Sequence, residues 1–257
     1  MKRLCVIMVC IGLIFYGITA SAQQSFNIMT EDIPPFNFQK DGAIHGISAD
    51  LLLLMMEKAG YPTERSAIKL LPWPRAYKTV QEEPGSMLFS MARTDERENL
   101  FKWVGPIQEV PLGILALKSR KIVIKNLEEA KKYKIGTIRD NAAELILMKA
   151  GFDETVLDRI ADPELNLKKL KAGRVDLCAF NIPTTRYMML QMGMNPSDYE
   201  IVYTLKKVNF CFAFHKSTDD KLIEKLNNAL AELKKPDTAG QSPYSRIMEK
   251  YLGKSDN

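Results

Sequence analysis
The sequence predicts an α/β protein in which a strand–helix pattern runs twice, and three observations carry that prediction. Apolar, strand-like runs alternate with helix-like segments of roughly 8–16 residues, the arrangement that gives parallel sheets covered by helices. The alternation runs twice, once before and once after the stretch near Pro106 to Gly113. Setting aside the first 22 of 257 residues leaves 235, enough for one large domain or for two small lobes with separate cores.

The first 22 residues read as a secretory signal peptide. Met1-Lys2-Arg3 is a basic head, Leu4 to Ile18 an apolar core, and Ala20-Ser21-Ala22 a small-residue site with cleavage expected after Ala22. A membrane anchor is the competing reading, but the run is short for a span of roughly 20 residues and no stop-transfer flank follows it. Neither Cys5 nor Cys10 sits at the cleavage point, so no lipoprotein is expected.

Each element then follows from local signals. Ser25 to Met29 reads as a strand, after which Pro34-Pro35 forbids a helix. Ser48 is a fair N-cap and Asp50 suits the positive helix end, so a helix over Leu51 to Ala59 is expected to stop at Gly60. It is apolar nearly all round and should be buried between layers. Pro72 and Pro74 open a second helix to about Glu82. Met87-Leu88-Phe89 and the run through Val104, Ile107 and Val110 read as buried strands flanking a charged turn, and Gly113 to Lys118 is strand-like. Asn126 with Glu129 has the capping-box spacing for a short helix, and Asn141 with Glu144 repeats it for a helix ending at Gly151. Lys134 to Ile138 is a strand between them. Asp162-Pro163 starts a helix that stops at Gly173, Val175 to Phe180 is a strand, and Pro183 opens the next helix. Ile201 to Leu205 and Val208 to Phe214 are strands, and Asp219 to Lys234 and Ser242 to Tyr251 are closing helices.

Composition excludes several functions. Without Lys2 and Arg3, the 36 basic residues become 34 against 31 acidic ones, a net +3 that is evenly interspersed and forms no basic patch for nucleic acid. Cys178 and Cys211, the two cysteines beyond the leader, lie in apolar strand-like runs. A disulfide is open to them in an oxidising compartment, but two buried thiols are expected. His45 and His215 stand far apart, which argues against a histidine triad, and no Cys–His spacing suggests a metal. Met188, Met189, Met192 and Met194 read as packing rather than as a soft-metal site.

Four stretches can carry chemistry. Ser90 to Pro106 sets Arg93, Arg97 and Lys102 among Asp95, Glu96 and Glu98 and closes on Phe101 and Trp103. It is either a charged turn or a device that holds an arginine fork against a carboxylate. In Thr30 to Phe36, Glu31 and Asp32 lack nearby cations, so they pair with Arg97, meet a cationic ligand group, or form an exposed acidic loop. In Leu71 to Tyr77, Trp73 and Tyr77 share a helical face and Arg75 lies beside them. That set can stack a ligand and hold an anion, or be a core Trp with a surface Arg. In Gly136 to Ala142 a strand runs into a helix N-terminus that favours an anion, with Arg139 adjacent; Asn141 is otherwise only a cap. Asp140 opposes an anion there unless its side chain faces away.

Thr94-Asp95-Glu96-Arg97 followed by Phe101 resembles the T-x-x-R…F segment of the bacterial family 3 solute-binding proteins, the periplasmic amino-acid receptors of ABC transporters. Thr30 to Phe36 resembles that family's opening turn, with Ile33 in place of an aromatic. Trp73-Pro74-Arg75-Ala76 resembles a W-x-R-A element found in one branch. Gly136 to Asn141 resembles its V-G-v-x-x-G-[ST] element, with Asp140 for Gly and Asn141 for Ser/Thr. Leu170 to Asp176 resembles its L-x-x-G-r-x-D-a segment. The resemblance spans nearly all of residues 25–253.

The resemblance implies a type II periplasmic binding fold, two α/β lobes joined by two hinge strands near Gln108 to Leu112 and Tyr203 to Val208. Lobe one would comprise residues 23–109 and the C-terminal return 208–257, and lobe two residues 110–207. It implies that Arg97 grips a ligand α-carboxylate, that the Asn141 helix end completes the grip, and that Asn181 stands where amino-acid receptors commonly place an ammonium-binding Asp. The expected ligand set is Glu31, Phe36, Trp73, Arg75, Arg97, Arg139, Asn141 and Asn181, with no catalytic residue, metal or cofactor. The expectation is a monomeric periplasmic receptor for an amino acid or related carboxylate, working with an inner-membrane ABC permease or a sensor. An Asn cannot cancel an ammonium's charge, so unless Glu31 compensates the site should prefer an anion without one. The alternatives are a cyclohexadienyl dehydratase-like enzyme using Glu31, Asp32 or Asp140 as an acid, and a receptor for a signalling partner.

Overall fold
The structure, a computed structural model, describes residues 26–238 and 240–252. The signal-peptide reading of residues 1–22 falls outside the described residues. The first half contains β1 (Asn27–Thr30), a hairpin of β2 (Phe38–Lys40) and β3 (Ala43–His45), α1 (Ile47–Lys58), β4 (Ile68–Leu70), α2 (Trp73–Glu82) and β5 (Ser86–Arg93). The long β6 (Phe101–Leu117) leads to β7 (Ile135–Ile138), α3 (Ala142–Lys149), β8 (Leu157–Ile160), α4 (Pro163–Lys171), β9 (Leu177–Asn181) and α5 (Ile182–Gln191). The equally long β10 (Tyr199–His215) returns to α6 (Asp220–Leu233) and α7 (Pro243–Leu252).

Eight of these strands form one sheet in the order β4-β1-β5-β10-β6-β9-β7-β8. The outer strands of each half are parallel to one another, while β6 and β10 run antiparallel along their whole lengths, from Tyr199 opposite Leu117 to His215 opposite Phe101. At one end β10 pairs with β5 through Asn209 to Phe214; at the other, β6 pairs with β9 through Leu112 to Ala116. Each long strand therefore belongs to both halves.

The apolar runs read as separate strands, Ile201 to Leu205 and Val208 to Phe214, are one strand, and those around Pro106 and Gly113 are likewise one. Lys206 and Lys207 interrupt the apolar pattern because β10 is exposed where it crosses between the halves, not because it turns.

Helices cover both faces. On β5, Met87 and Phe89 join the core beneath α1 and α6, while Leu88 and Met91 face Trp73, Ala76 and Val80 of α2. In the second half α3 supplies Ala143 and Leu147 to the first of these cores, and α4 and α5 bury Leu167, Leu170, Met188 and Met189 on the opposite face. Cys178 and Cys211 are buried free thiols in two different clusters. Among the described residues there is no group of side chains suited to a metal, and no helix long and apolar enough to cross a membrane.

Several local readings are corrected. Ser48 does not cap α1; it is buried inside the helix, which starts after Gly46. A Cβ on Gly46 would lie 2.3 Å from the Phe36 carbonyl oxygen, so close backbone approach decides that residue. Asn126 does cap, accepting from Glu129 N–H, but the segment is a 3₁₀ turn over Leu127–Lys132. Asn141 caps α3 by accepting from Ala143 N–H at 3.0 Å, while Glu144 reaches back to Asp140 N–H at 2.6 Å. Glu144 is fully buried and also accepts from Thr137 and Arg159, which satisfies its carboxylate. The short strands β2, β3, β4 and β8 had no signal, being three or four residues long and partly exposed.

Candidate functional site
The carboxyl ends of the parallel strands from both halves converge, the place where open α/β sheets take ligands. Glu31 follows β1, Trp73 follows β4 at the start of α2, and Ser90 and Ala92 come from β5, with Arg97 on the loop beyond. From the second half come Asn141 and Ala142 at the start of α3, and Asn181 at the end of β9. With Leu112 and Phe210 they line a cavity of about 10 Å³, room for roughly one water.

The two halves are closed around it. Arg97 donates from Nη1 to the Ala92 carbonyl at 3.1 Å and from Nη2 to the Asp140 carbonyl of the second half at 2.7 Å. At the rim Lys149 pairs with Glu96 at 2.7 Å and Lys206 with Asp95 at 3.8 Å.

Arg97 is 1% exposed and its Nε has no partner among the described residues. Its guanidinium carbon lies 4.9 Å from the Trp73 ring centre and 5.1 Å from that of Tyr77, and those two rings are stacked 5.3 Å apart. The i, i+4 spacing on α2 builds this aromatic wall, which holds the planar cation by stacking. Burial lowers the Arg97 pKa, opposed by Tyr77 and Glu31, and the group stays cationic.

Glu31 is 5% exposed, and no hydrogen bond to its carboxyl is found among the described residues. Burial pushes it up to about 8, with Arg97 pulling part of the way back and Asp32 adding to the rise. At neutral pH it is therefore mostly a neutral acid. The exposed acidic loop does not hold for Glu31. Asp32 is exposed, as an acidic loop residue; it is raised toward about 6 by desolvation and by Glu164 of the second half, and faces a separate cleft between the halves with Phe38, Glu164 and Tyr187.

In the second half Asn181 is 2% exposed, and its Oδ1 accepts from Thr184 N–H at 2.9 Å, capping α5. The cap uses one lone pair of the amide oxygen, so the side chain can still accept once more and donate from its NH₂ group. Asn141 does the same at α3. Asp140, in the left-handed conformation with φ 60°, turns its carboxylate away from the cavity, 3.7 Å from Arg159.

Five of the eight candidates thus meet at the cavity: Glu31, Trp73, Arg97, Asn141 and Asn181. Phe36 is buried one layer behind, edge-on to Phe210 at 5.0 Å. Arg75 is exposed on α2 and is not among the lining residues. Arg139 is exposed too and lines an outer depression with Lys134, Glu154 and Arg159. β7 is buried on both faces from Ile135 to Ile138, and Arg139 lies just past its end, beyond the cover of the flanking helices.

The sequence reading missed Ser90 and Phe210. Ser90 has φ 59° and marks an irregularity in the β5–β10 register, a bulge that re-aims its hydroxyl toward Asn37 and Ser48. A bulge leaves no trace in an apolar run. Phe210 read only as one of several alternating strand aromatics.

The family model for bacterial extracellular solute-binding proteins, family 3, matches residues 27–254. An ancestral arginine-binding protein bound to arginine is 26% identical, with TM-score 0.75 over 90% of this chain and 99% of that one. A histidine kinase sensor domain with similarity to periplasmic binding proteins is 20% identical, with TM-score 0.76 over 90% and 97%. An ABC uptake transporter substrate-binding protein from Streptococcus pneumoniae with bound histidine is 18% identical, with TM-score 0.74 over 90% and 93%. No curated protein matches by sequence.

Proposed function
The chain belongs to the bacterial extracellular solute-binding proteins of family 3, and on that footing we propose that it captures a small carboxylate-bearing solute by closing its two lobes. The observation that carries this reading is the buried, stacked Arg97, which bridges the two halves at a cavity lined by donors from both. A guanidinium fork in such a place suits a carboxylate. Lobe one is residues 23–109 with 208–257, lobe two is residues 110–207, and β6 and β10 are the hinge strands. Solute shifts the open–closed equilibrium because only the closed form offers it both lobes.

The leader is removed after Ala22 and the receptor works in the periplasm as a monomer, handing its solute to an ABC permease. A sensor output is the second destination, favoured by the likeness to a kinase sensor domain.

Small-angle scattering tests the closure. Protein stripped of solute should shrink in radius of gyration when the solute released from a native preparation is returned. An unchanged radius would contradict the mechanism.

A dehydratase on this scaffold draws on one observation, the buried Glu31 raised to about 8, which can donate a proton at neutral pH. Incubation with prephenate, followed by phenylpyruvate absorbance, tests that reading; no absorbance change is expected.

A further inference from the structure
We infer that the end of the second half opposite the cavity is a docking surface for an anionic lipid membrane, on which the protein rests with its cavity turned to solution. This goes beyond the receptor reading and does not depend on which solute is bound.

The near-even charge of the whole chain hides a local excess. Of the 34 basic and 31 acidic residues in 23–257, seven and two lie in 118–134, which leaves 27 against 29 for everything else. The stretch runs from the end of β6 to the start of β7, through a turn at Lys118–Arg120 and the 3₁₀ turn at Leu127–Lys132. The cavity lies at the carboxyl ends of β7 and β9, by Asn141 and Asn181; this surface lies at their amino ends.

Asp176 ties the surface together. Its carboxylate pairs with Arg120 and accepts from Lys134 N–H at 3.0 Å, which brings the turn between α4 and β9 beside the other two. That turn adds Lys171 and Arg174. Most of the acids here are already engaged: Glu128 pairs with Lys131 at 2.7 Å, Glu129 accepts from Lys125 N–H at 2.8 Å, and Asp158 pairs with Lys134 at 3.5 Å. Asp198 and Glu200 lie beside the end of β6. Lys118, Lys121, Lys125, Lys132, Lys171 and Arg174 are all exposed, and none makes an ion pair among the described residues. Between Lys121 and Lys125 stands Val123, 70% exposed, held out by the buried Ile122 and Ile124 on either side.

The composition of the surface selects its partner. Protein interfaces are rich in aromatic residues and Arg and poor in Lys, whereas here lysine dominates and Tyr133, half-buried, is the one aromatic of the stretch. The same lack of rings leaves no platform on which a nucleic-acid strand could stack. A lipid headgroup layer asks for neither. Several unpaired cations on flexible stems, with one small apolar tip among them, suit a diffuse anionic surface.

Cosedimentation tests this with residues 23–257, the leader removed because its apolar core would bind lipid by itself. Protein should pellet with vesicles of phosphatidylglycerol and phosphatidylcholine at about 50 mM salt, and not with phosphatidylcholine alone. Binding should fall about tenfold or more at about 0.5 M salt. Lys118→Glu with Lys125→Glu should lower it about tenfold or more. Lys216→Glu with Lys221→Glu, exposed lysines outside this surface and an equal change in net charge, should leave it unchanged. In Val123→Trp the added indole should shift its fluorescence to the blue on the anionic vesicles, while Trp73 and Trp103 are buried and stay constant. No binding by the wild type, equal losses in the two double variants, or an unshifted indole in bound protein would overturn the inference. Tighter binding to polyglutamate than to the vesicles, lost in Lys118→Glu with Lys125→Glu, would also overturn it and assign the surface to an acidic protein. Solute binding by the wild type is unaffected by any of these results.

Discussion

Arg97 and Asp140 are joined by a 2.7 Å hydrogen bond from the guanidinium Nη2 to the backbone carbonyl, across 43 positions of sequence and from one half of the molecule to the other. At Asp140 the backbone is left-handed; its carbonyl meets Arg97 while its carboxylate lies toward Arg159. The residue that reads in sequence as an obstacle to an anion thus holds the Arg97 guanidinium through its backbone.

Arg97→Ala should weaken solute binding on the order of 2–5 kcal/mol, the cost of breaking a buried charged pair. Arg97→Lys should restore little of it, since an ammonium reproduces neither the fork nor the stacking on Trp73 and Tyr77. Arg120→Ala, which breaks only an exposed pair with Asp176, should leave affinity unchanged. Titration calorimetry of the three variants decides; equal effects at Arg97 and Arg120 would remove Arg97 from the site.

Stability should fall as pH rises from about 4.5 to 8. Glu31 moves from its ordinary 4.5 to about 8 on burial, so within that window the folded protein keeps a proton that the unfolded chain releases. Asp32, raised toward about 6, acts in the same sense but is exposed and screened by solvent, so it adds little. Urea unfolding between pH 6 and 8 should therefore be flatter for Glu31→Gln than for the wild type. Parallel slopes would show that Glu31 titrates as it does in water.

Lys149 and Glu96 close the rim on the surface, and Lys149 holds the Glu96 carboxylate down to about 2. Exposed pairs contribute little and are screened by salt. Lys149→Met should change affinity only slightly, and the difference should vanish at high ionic strength. A large, salt-independent loss would place the rim inside the binding site.

Burial pushes Cys178 up to about 12 and Cys211 to about 11. Both thiols should resist alkylation at pH 8 in the native protein and react after denaturation, as read by peptide mapping. Modification of either in the native state would contradict the buried free-thiol assignment.

The fold was legible because helix caps and apolar runs are local. Asn141, Asp162 and Asn181 start helices where short-range hydrogen bonds require it. What escaped was set by tertiary contact. Gly46 rather than Ser48 precedes α1 because the Phe36 backbone passes too close for a side chain. Ser90 enters the lining through a bulge registered against β10. Arg75 and Arg139 also sat in motif-like stretches, but Arg75 is exposed on α2 and Arg139 lies exposed just past the end of β7. Arg97, Trp73 and Asn181, read from the family resemblance, do line the cavity.

The central claim is that Arg97 holds a carboxylate-bearing solute between the closed lobes. Native mass spectrometry of the wild-type protein and Arg97→Ala, purified without denaturation, tests it most directly. The account predicts a small anion bound to the wild type at one per chain and absent from Arg97→Ala. The same solute on both proteins at equal occupancy would contradict it.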